Sequence, residues 1–296
     1  MIRSDRRVTP VLMAIMVVWG LNFPMVKTLT AWFDTALLAT LRMLVACATY
    51  WLLMLATRQG LPRFTHRQWA GLGACAFTMV YLNQVLFTGG LQRTGAVNGA
   101  LIMATSPMVA GLLAMLAFGE RMQVRHLGAL ALGFGGVAVV VLHRPGAVFS
   151  SAGLGDLMLV GCVVAFGIGG VIVQRMAPQL DMLHMTSAVY TLGSAMLLVH
   201  LWIDQGPTLS IERVFPGWWP WTLVVISAVL ATALANWAWA SAIARIGVAR
   251  TSAFVYWVPV FGMGFSALLL GEPLSVWYAL GLLMVFGGSR LALRRD

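Results

Sequence analysis

The stretch RTGAVNGALIMATSPMVAGLLAMLAFGE, residues 93–120, recurs in the same chain as RIGVARTSAFVYWVPVFGMGFSALLLGE, residues 245–272. Counting 152 residues onward (245 − 93) joins the landmarks of the two copies, which are Arg93 with Arg245, Gly95 with Gly247, Pro107 with Pro259, and Gly119-Glu120 with Gly271-Glu272. Chance matches of Gly and Leu are common in an apolar sequence, but an Arg, a Pro and a Gly-Glu pair in one register are not. The register predicts a tandem duplication whose function lies where the two halves meet.

Composition indicates a protein embedded in lipid. Of the 296 residues, 60% are hydrophobic and 9% are charged, whereas a soluble domain carries roughly 25% charged residues. The net charge of +10 would suggest nucleic acid in a soluble protein. Here we attribute it to basic loops that face the cytoplasm and anionic lipid, and we expect no nucleic-acid partner. The three cysteines lie in apolar segments without CxxC or Cys/His spacing, so no disulfide and no metal site are predicted.

Hydropathy predicts ten membrane-spanning helices, since a spanning helix needs about 20 mostly apolar residues. The predicted spans are Thr9–Met25, Thr35–Ala56, Trp69–Gly90, Gly95–Phe118, Val124–Leu142, Asp156–Val173, Leu183–Ile203, Trp221–Ile243, Val248–Leu270 and Ser275–Ala292. The first is interpreted as a retained helix, because no small-x-small cleavage site follows it. The fold class is therefore an all-α membrane protein, with one five-helix repeat in residues 1–146 and a second in residues 147–296.

Lysine and arginine predict the orientation. With a cytoplasmic N-terminus, the inner segments carry fourteen of the 19 basic residues and the outer segments carry four, while Arg42 lies within a helix. This excess places both termini in the cytoplasm. Because five helices per half is an odd number, the second repeat must be inverted relative to the first, an architecture common among secondary transporters.

One motif in the first predicted helix, one arginine and three glycine-acid pairs carry a resemblance to a known family. They are the motif Trp19-Gly20-x-Asn22-Phe23, Arg42, the Gly119-Glu120 and Gly271-Glu272 helix ends, and Gly155-Asp156. With these the whole chain resembles the drug/metabolite transporter superfamily, in its EamA-type ten-helix branch. The resemblance implies a cavity bounded mainly by the helices predicted at Trp69–Gly90, Gly95–Phe118, Trp221–Ile243 and Val248–Leu270, and export of small metabolites. Phe166-Gly167-x-Gly169-Gly170 stands where the first half has the Trp19 motif, so we expect an asymmetric cavity.

Polar and aromatic groups at mid-membrane are the candidates for substrate binding, because such groups usually face a cavity or protein. Spacing by three and four residues puts Phe77, Tyr81 and Gln84 on one predicted helix face. Gln84 and Asn236 are repeat mates (236 − 84 = 152), although either amide could simply hydrogen-bond neighbouring helices together. The full set of candidates is Trp19, Asn22, Phe77, Tyr81, Gln84, Thr105, Ser106, Asn236, Trp239, Ser252, Tyr256 and Trp257.

A second set of residues is predicted to have gating or structural roles. Pro107 and Pro259 fall near mid-helix, where a missing N–H loosens the helix and either frees carbonyls toward a cavity or only kinks it. Arg42 could clamp a substrate carboxylate, extend outward to the interface, or pair with an acid such as Asp34 or Glu272. A structural role is favoured, because the family that the chain resembles places an Arg here across many substrates. Glu120 and Glu272 end their helices and are expected to share a structural or gating purpose.

These features predict a secondary transporter of the bacterial inner membrane rather than an enzyme. We expect a small-molecule substrate, amino acids or related amines first, with membrane lipid around the protein, no cofactor, and a monomer or a dimer. Cationic drugs or a metallophore are the alternative cargo, and an intramembrane enzyme or a scaffold is the alternative class. No Walker, HExxH, GxSxG or CxxC motif is present. Because no Asp or Glu lies at mid-depth, transport down the substrate gradient is expected.

Overall fold

A computed structural model describes residues 8–60, 63–118, 151–205 and 211–293, together with isolated positions between 128 and 143. Secondary structure in these ranges is helical, and no strand occurs within them. Seven of the helices are long and apolar enough to cross a membrane. The prediction of an all-α membrane protein is thereby confirmed. The predicted span Val124–Leu142 and Glu120 fall on or among residues outside the described ranges, so the total of ten helices and the orientation of the termini stay predictions.

The helices follow the predicted spans closely, and several of them extend a few residues further at one or both ends. They are α1 (Val8–Leu29), α2 (Thr35–Ala56), α3 (His66–Arg93), α4 (Ala96–Phe118), α5 (Ser151–Met176), α6 (Met182–Gln205), α7 (Trp218–Ile246), α8 (residues 248–270) and α9 (Val276–Leu293). A short helix, Ile211–Val214, lies between α6 and α7. Exposed Trp218 and Trp219 begin α7, as expected for indoles at a membrane interface.

Two of the helices, α3 and α7, contain π-helical turns at positions related by the repeat. In α3 the wide turns cover Ala76–Leu82, and in α7 they cover Ser227–Leu234. The offset of 152 joins their ends (234 − 82 = 152), so the register read from the sequence is also a register of backbone shape. Asn83 N–H donates to the carbonyl of Thr78, an i→i−5 bond. Such turns often accompany functional sites.

Helices α4 and α8, which contain Pro107 and Pro259, are interrupted near their middles. In α4 the α-helix stops at Met103 and resumes at Ser106; there Ala104 and Thr105 donate to carbonyls three residues back, at 3.0 Å each. In α8 a 3-10 segment, Ala253–Tyr256, precedes Trp257–Leu270. Because Pro107 and Pro259 have no N–H to donate, the turn before each one cannot be fully α-helical.

Close packing joins the first half of the chain to the second. Gly20 of α1 lies so near α8 that a Cβ atom there would be 2.5 Å from the Phe261 Cβ and 2.9 Å from the Gly262 backbone nitrogen. On its other side, Gly262 faces Ala100 of α4. Small residues allow backbones to approach in this way where no hydrophobic effect drives helices together. This contact fixes α1 beside α8. Other residues of α1 line the cavity described below.

Candidate functional site

A cavity of about 70 Å³ lies in the middle of the bundle, between helices of both halves. Its wall combines polar and aromatic side chains. The polar ones include Asn22, Arg42, Gln84, Thr232 and Asn236, and the rings include Trp19, Phe23, Phe87 and Phe166. Convergent polar groups in an otherwise apolar pocket are typical of small-molecule sites.

Arg42 of α2 is the hub of a buried hydrogen-bond network. Its guanidinium donates to Ser227 Oγ at 3.0 Å, to Gln84 Oε1 at 2.9 Å and to Thr232 Oγ1 at 3.1 Å. The side chain is only 1% exposed, so it neither reaches an interface nor bonds to an acid among the described residues. The two interpretations that had it extend outward or pair with Asp34 or Glu272 are therefore not what the structure shows.

The network continues from Arg42 and its partners into two further helices, α1 and α5. Ser227 Oγ donates to Asn22 Oδ1 of α1 at 2.6 Å. Gln84 Nε2 donates to Asn83 Oδ1, whose own amide donates to the Cys162 carbonyl of α5. Each of these groups keeps a partner in a low-dielectric interior, where an unpaired polar group would be costly. Gln84 thus both lines the cavity and bonds neighbouring groups, so the two roles weighed for it occur together.

The π turns place these groups. Ser227 opens the wide segment of α7 and Thr232 lies inside it, while Gln84 comes just after the wide segment of α3. Without i→i−4 regularity, residues that a 3.6-residue period assigns to different faces can converge on one point. Asn236 follows in the next turn and donates to the Thr232 carbonyl at 2.8 Å.

Three rings close the cavity on one flank. Trp19 lies 4.9 Å from Trp239 and 5.9 Å from Phe166, measured between ring centroids. The Trp19 indole donates to the Ala231 carbonyl at 2.9 Å. Beyond the rings lies a second, smaller cavity of about 10 Å³, whose wall includes Ser106, Phe166, Trp239 and Ser252. In this part of the structure Trp239 Nε1 and Ser106 Oγ have no hydrogen-bond partner.

Charged side chains hold the connection between α3 and α4 at the bundle end opposite the start of α1. We call Lys27, Thr94, Asp156 and Glu272 the outer cluster. Lys27 Nζ donates to the carbonyls of Leu91 and Thr94 at 2.8 and 2.7 Å. Thr94 Oγ1 in turn donates to Asp156 Oδ1 at 2.7 Å. A cation at the end of α3 is placed favourably, because exposed carbonyls there carry partial negative charge.

Glu272 completes the outer cluster from the other repeat. Its carboxylate accepts from the backbone N–H groups of Ala96 at 3.0 Å and Val97 at 2.9 Å, the first residues of α4. Although it follows the C-terminal end of α8, it faces the N-terminal end of another helix, where negative charge is stabilised. The repeat in the sequence singled out Glu272, but its binding to the first N–H groups of α4 is seen only in the folded structure.

The candidate residues for substrate binding fall into three groups by position: those that line the central cavity, those that line the smaller cavity and those that line neither. Trp19, Asn22, Gln84 and Asn236 line the central cavity, and Ser106, Trp239 and Ser252 line the smaller one. Phe77, Tyr81, Thr105 and Trp257 line neither of the two cavities described. The Tyr256 side chain and Glu120 lie outside what the structure describes, and Pro107 and Pro259 are buried at the helix interruptions.

Local geometry explains why those four lie elsewhere. Phe77 is 47% exposed and stacks on Tyr81, whose hydroxyl meets His200 Nδ1 at 2.9 Å. Both fall in the π segment, so the predicted common face with Gln84 does not form. Trp257 is also 47% exposed and follows a 3-10 turn. Thr105 Oγ1 donates to the Ile102 carbonyl at 2.7 Å, so its hydroxyl is bonded within its own helix.

Sequence reasoning missed several members of the polar networks. Asn83 and Ser227 lie one residue outside the helical stripes that the 3.6-residue period selects, and only the π turns bring them in. Lys27 and Asp156 were not among the candidate residues, because their partners lie far away in the sequence. One signal could have found Lys27: a lone cation at the predicted outer end of an apolar helix often binds the carbonyls of another helix end.

Two segments of the chain match the same known protein family. The model of the family described as "EamA-like transporter family" matches residues 9–142 and again residues 153–294. "Uncharacterized transporter YetK" of Bacillus subtilis (strain 168) is 23% identical over 279 residues, which cover 94% of this chain and 84% of that protein. "Probable terminal-alkyne amino-acid exporter" of Streptantibioticus cattleyicolor is 24% identical over 292 residues, covering 95% and 93%.

A solved crystal structure shares the fold. It superposes with a TM-score of 0.71 over 97% of this chain and 96% of that chain, at 18% sequence identity.

Proposed function

Because the chain belongs to the EamA-like transporter family, we propose that it is a secondary transporter that exports small amphipathic metabolites. Amino acids or their amine relatives are the first candidates, and the bacterial inner membrane is the location. The proposed mechanism is alternating access, in which the repeats of residues 1–146 and 147–296, inverted relative to each other, rock around a central site. Both termini face the cytoplasm in this proposal.

The observation that carries the proposal is the central cavity. It is walled by groups from both halves, including the repeat mates Gln84 and Asn236. A membrane scaffold would be expected to pack its centre, whereas a transporter needs a polar site at mid-depth with a wall that both halves can release. The relative named as an amino-acid exporter aligns along 95% of this chain, which supports a similar class of cargo.

The outer cluster supports a direction for the first step. It ties the α3–α4 connection to α1, α5 and the end of α8, so the path from the cavity to that end is held by charge. By the distribution of basic residues this end faces outside the cell. In the proposed cycle these contacts must separate before the cavity opens to the outside, and cargo enters from the cytoplasm.

Counterflow in liposomes tests the function. Purified protein is reconstituted into vesicles loaded with one unlabelled amino acid, polyamine or organic cation at a time, and uptake of the labelled compound is followed. Transient accumulation above the protein-free control, abolished by Trp239→Ala in folded protein, is the expected result. If no member of the panel exchanges, while the protein remains monodisperse and folded, export of these metabolites is the wrong function.

One observation favours a second cargo class, cationic drugs or metallophores. Several aromatic rings line the cavity, and ring faces attract organic cations. The counterflow panel includes tetraalkylammonium compounds for this reason, and exchange of these alone would select the second candidate.

A further inference from the structure

Arg42 is a buried cation whose partners are all neutral. It lies in the wall of the central cavity with 1% of its surface exposed. The acceptors of its hydrogen bonds are two hydroxyls and an amide, and no carboxylate of the described residues bonds to it. Neutral acceptors solvate a guanidinium only in part, so the site keeps an uncompensated positive charge in a low-dielectric place.

The guanidinium also retains donors that its protein partners do not use. It carries five N–H groups in a planar fork. One hydrogen bond is made by Nε, one by Nη1 and one by Nη2, which leaves an N–H on each terminal nitrogen. Two such donors match the two oxygens of a carboxylate, which is the geometry that distinguishes Arg from Lys as a binder of planar anions.

We propose that Arg42 binds the carboxylate of the transported substrate, so that the cavity selects organic acids and amino acids over organic cations. This inference rests on the proposed transport function and narrows its cargo. The ion that completes the charge of Arg42 is thus brought by the substrate and leaves with it. The return of the transporter without substrate is then the step of higher energy, because Arg42 has no counter-ion during it.

The rest of the wall suits the body of such a molecule. Phe87 lies against the guanidinium, with its ring centroid 5.9 Å from the Arg42 Cζ, and Trp19, Phe23 and Phe166 continue the apolar surface. No Asp or Glu is among the described residues that line this cavity. A cationic substrate would therefore add a second positive charge beside Arg42 with no acid to offset it, whereas a zwitterion or an anion would not.

The test compares related molecules with and without the carboxylate, and one that lacks the amine. The probes are L-phenylalanine and L-leucine, their carboxamides, 3-phenylpropanoate, which lacks the amine, and 2-phenylethylamine, which lacks the carboxylate. Binding is measured on the purified full-length protein by ligand-induced thermal stabilisation, and counterflow is measured separately. We expect the carboxylates to bind about tenfold or more tightly than the carboxamides, from the strength of hydrogen bonds to charged groups.

Two variants locate the effect at Arg42. Arg42→Lys keeps the charge but loses the fork, and should reduce the preference for carboxylate over carboxamide in protein that remains folded. Arg42→Gln removes the charge and should abolish the preference. Arg290→Gln, a change at an exposed arginine of α9, is the matched control for net charge and should leave the preference unchanged.

The outcomes separate this inference from the function it rests on. Equal binding of acid and amide, tighter binding of 2-phenylethylamine, or failure of every carboxylate to bind would overturn the role of Arg42. Counterflow of cations alone would do the same while leaving a transport function in place. Carboxylate-selective binding that is abolished in Arg42→Gln, without any counterflow, would uphold carboxylate binding at Arg42 and contradict the proposed transport.

Discussion

At the residue scale, glycine sets the distance between α1 and α8. Gly20 and Gly262 let the two backbones touch, and the backbone nitrogen of Gly262 is among the atoms that a Cβ at Gly20 would meet. A backbone atom cannot rotate away as a side-chain end can. Two positions after Gly262, a Cβ at Gly264 would meet nothing within 4 Å. Gly20 of α1 is therefore an obligatory glycine at this contact, whereas Gly264 of α8 is a dispensable one.

We expect Gly20→Ala to destabilise the protein by roughly 1–3 kcal/mol, the usual cost of overpacking a filled interior. Gly264→Ala should change stability little, because the added methyl group enters open space. Thermal unfolding in detergent, followed by size-exclusion chromatography of each variant beside wild type, measures both. Equal midpoints for Gly20→Ala and wild type would contradict the packing described for α1 and α8.

At the element scale, helix ends and helix interruptions shape the site. The outer cluster uses the partial charges of two helix ends: Lys27 lies at carbonyls that close α3, and Glu272 at N–H groups that open α4. Lys27 belongs to α1 and Glu272 follows α8, so each charge comes from outside the helix whose end it binds. Because Asp156 of α5 also binds Thr94, release of the connection between α3 and α4 requires movement relative to α1, α5 and the end of α8.

Glu272→Gln should weaken this hold, because a charge-assisted hydrogen bond contributes about 1.5–3 kcal/mol. The outward-open population is then expected to rise roughly tenfold or more. Cys162, which lines the cavity, reports the change in a Cys47→Ser, Cys75→Ser background: a membrane-impermeant thiol reagent added outside cells should modify it faster. Asp204→Asn, at an exposed acid near the end of α6, is the control. Unchanged labelling in Glu272→Gln would remove the outer cluster from gating.

Element geometry also decides how much of the site was predictable. The offset of 152 residues found Gln84 and Asn236, because repeat symmetry does not depend on the local helix type. Helical spacing put Phe77 and Tyr81 on one face with Gln84, because it assumes a regular α-helix where π turns occur. No hydropathy pattern marks a π turn. Ser227 and Asn83 were missed for the same reason, and the partners of Lys27 and Glu272 depend on contacts across some 60 to 180 residues.

At the scale of the whole molecule, the two halves form one body. The first helix packs on α8, α2 packs on α6 and α7, and α5 packs on α3 and α4. The cavity is thus lined by residues from both halves of the chain. Composition and repeat register were sufficient to predict this class of fold, because lipid leaves helices as the main way to satisfy backbone groups. The cavity's size and its hub at Arg42 needed the packed structure.

Orientation is testable directly. Fourteen basic residues on one side against four on the other predict a cytoplasmic C-terminus. A fluorescent-protein fusion at Asp296 should be bright, and an alkaline-phosphatase fusion at the same residue should be inactive, in intact cells. The opposite pattern would overturn the orientation, and with it the assignment of the outer cluster to the external face.

Energy coupling follows from which groups line the path. The described residues of the central cavity include amides, hydroxyls, rings and one arginine, and the amides, hydroxyls and indoles do not change charge near neutral pH. We expect an imposed pH gradient to alter the counterflow rate modestly without driving uphill accumulation. Sustained uphill transport of a substrate that does not itself titrate, lost in Glu120→Gln or Glu272→Gln, would assign proton coupling to that acid.

The paired π turns have a consequence for ancestry. A π turn costs a helix its regular bonding, and two of them end at positions that correspond between the copies. A tandem duplication predicts such a shared position, because one residue inserted into the helix before the duplication would pass to both copies.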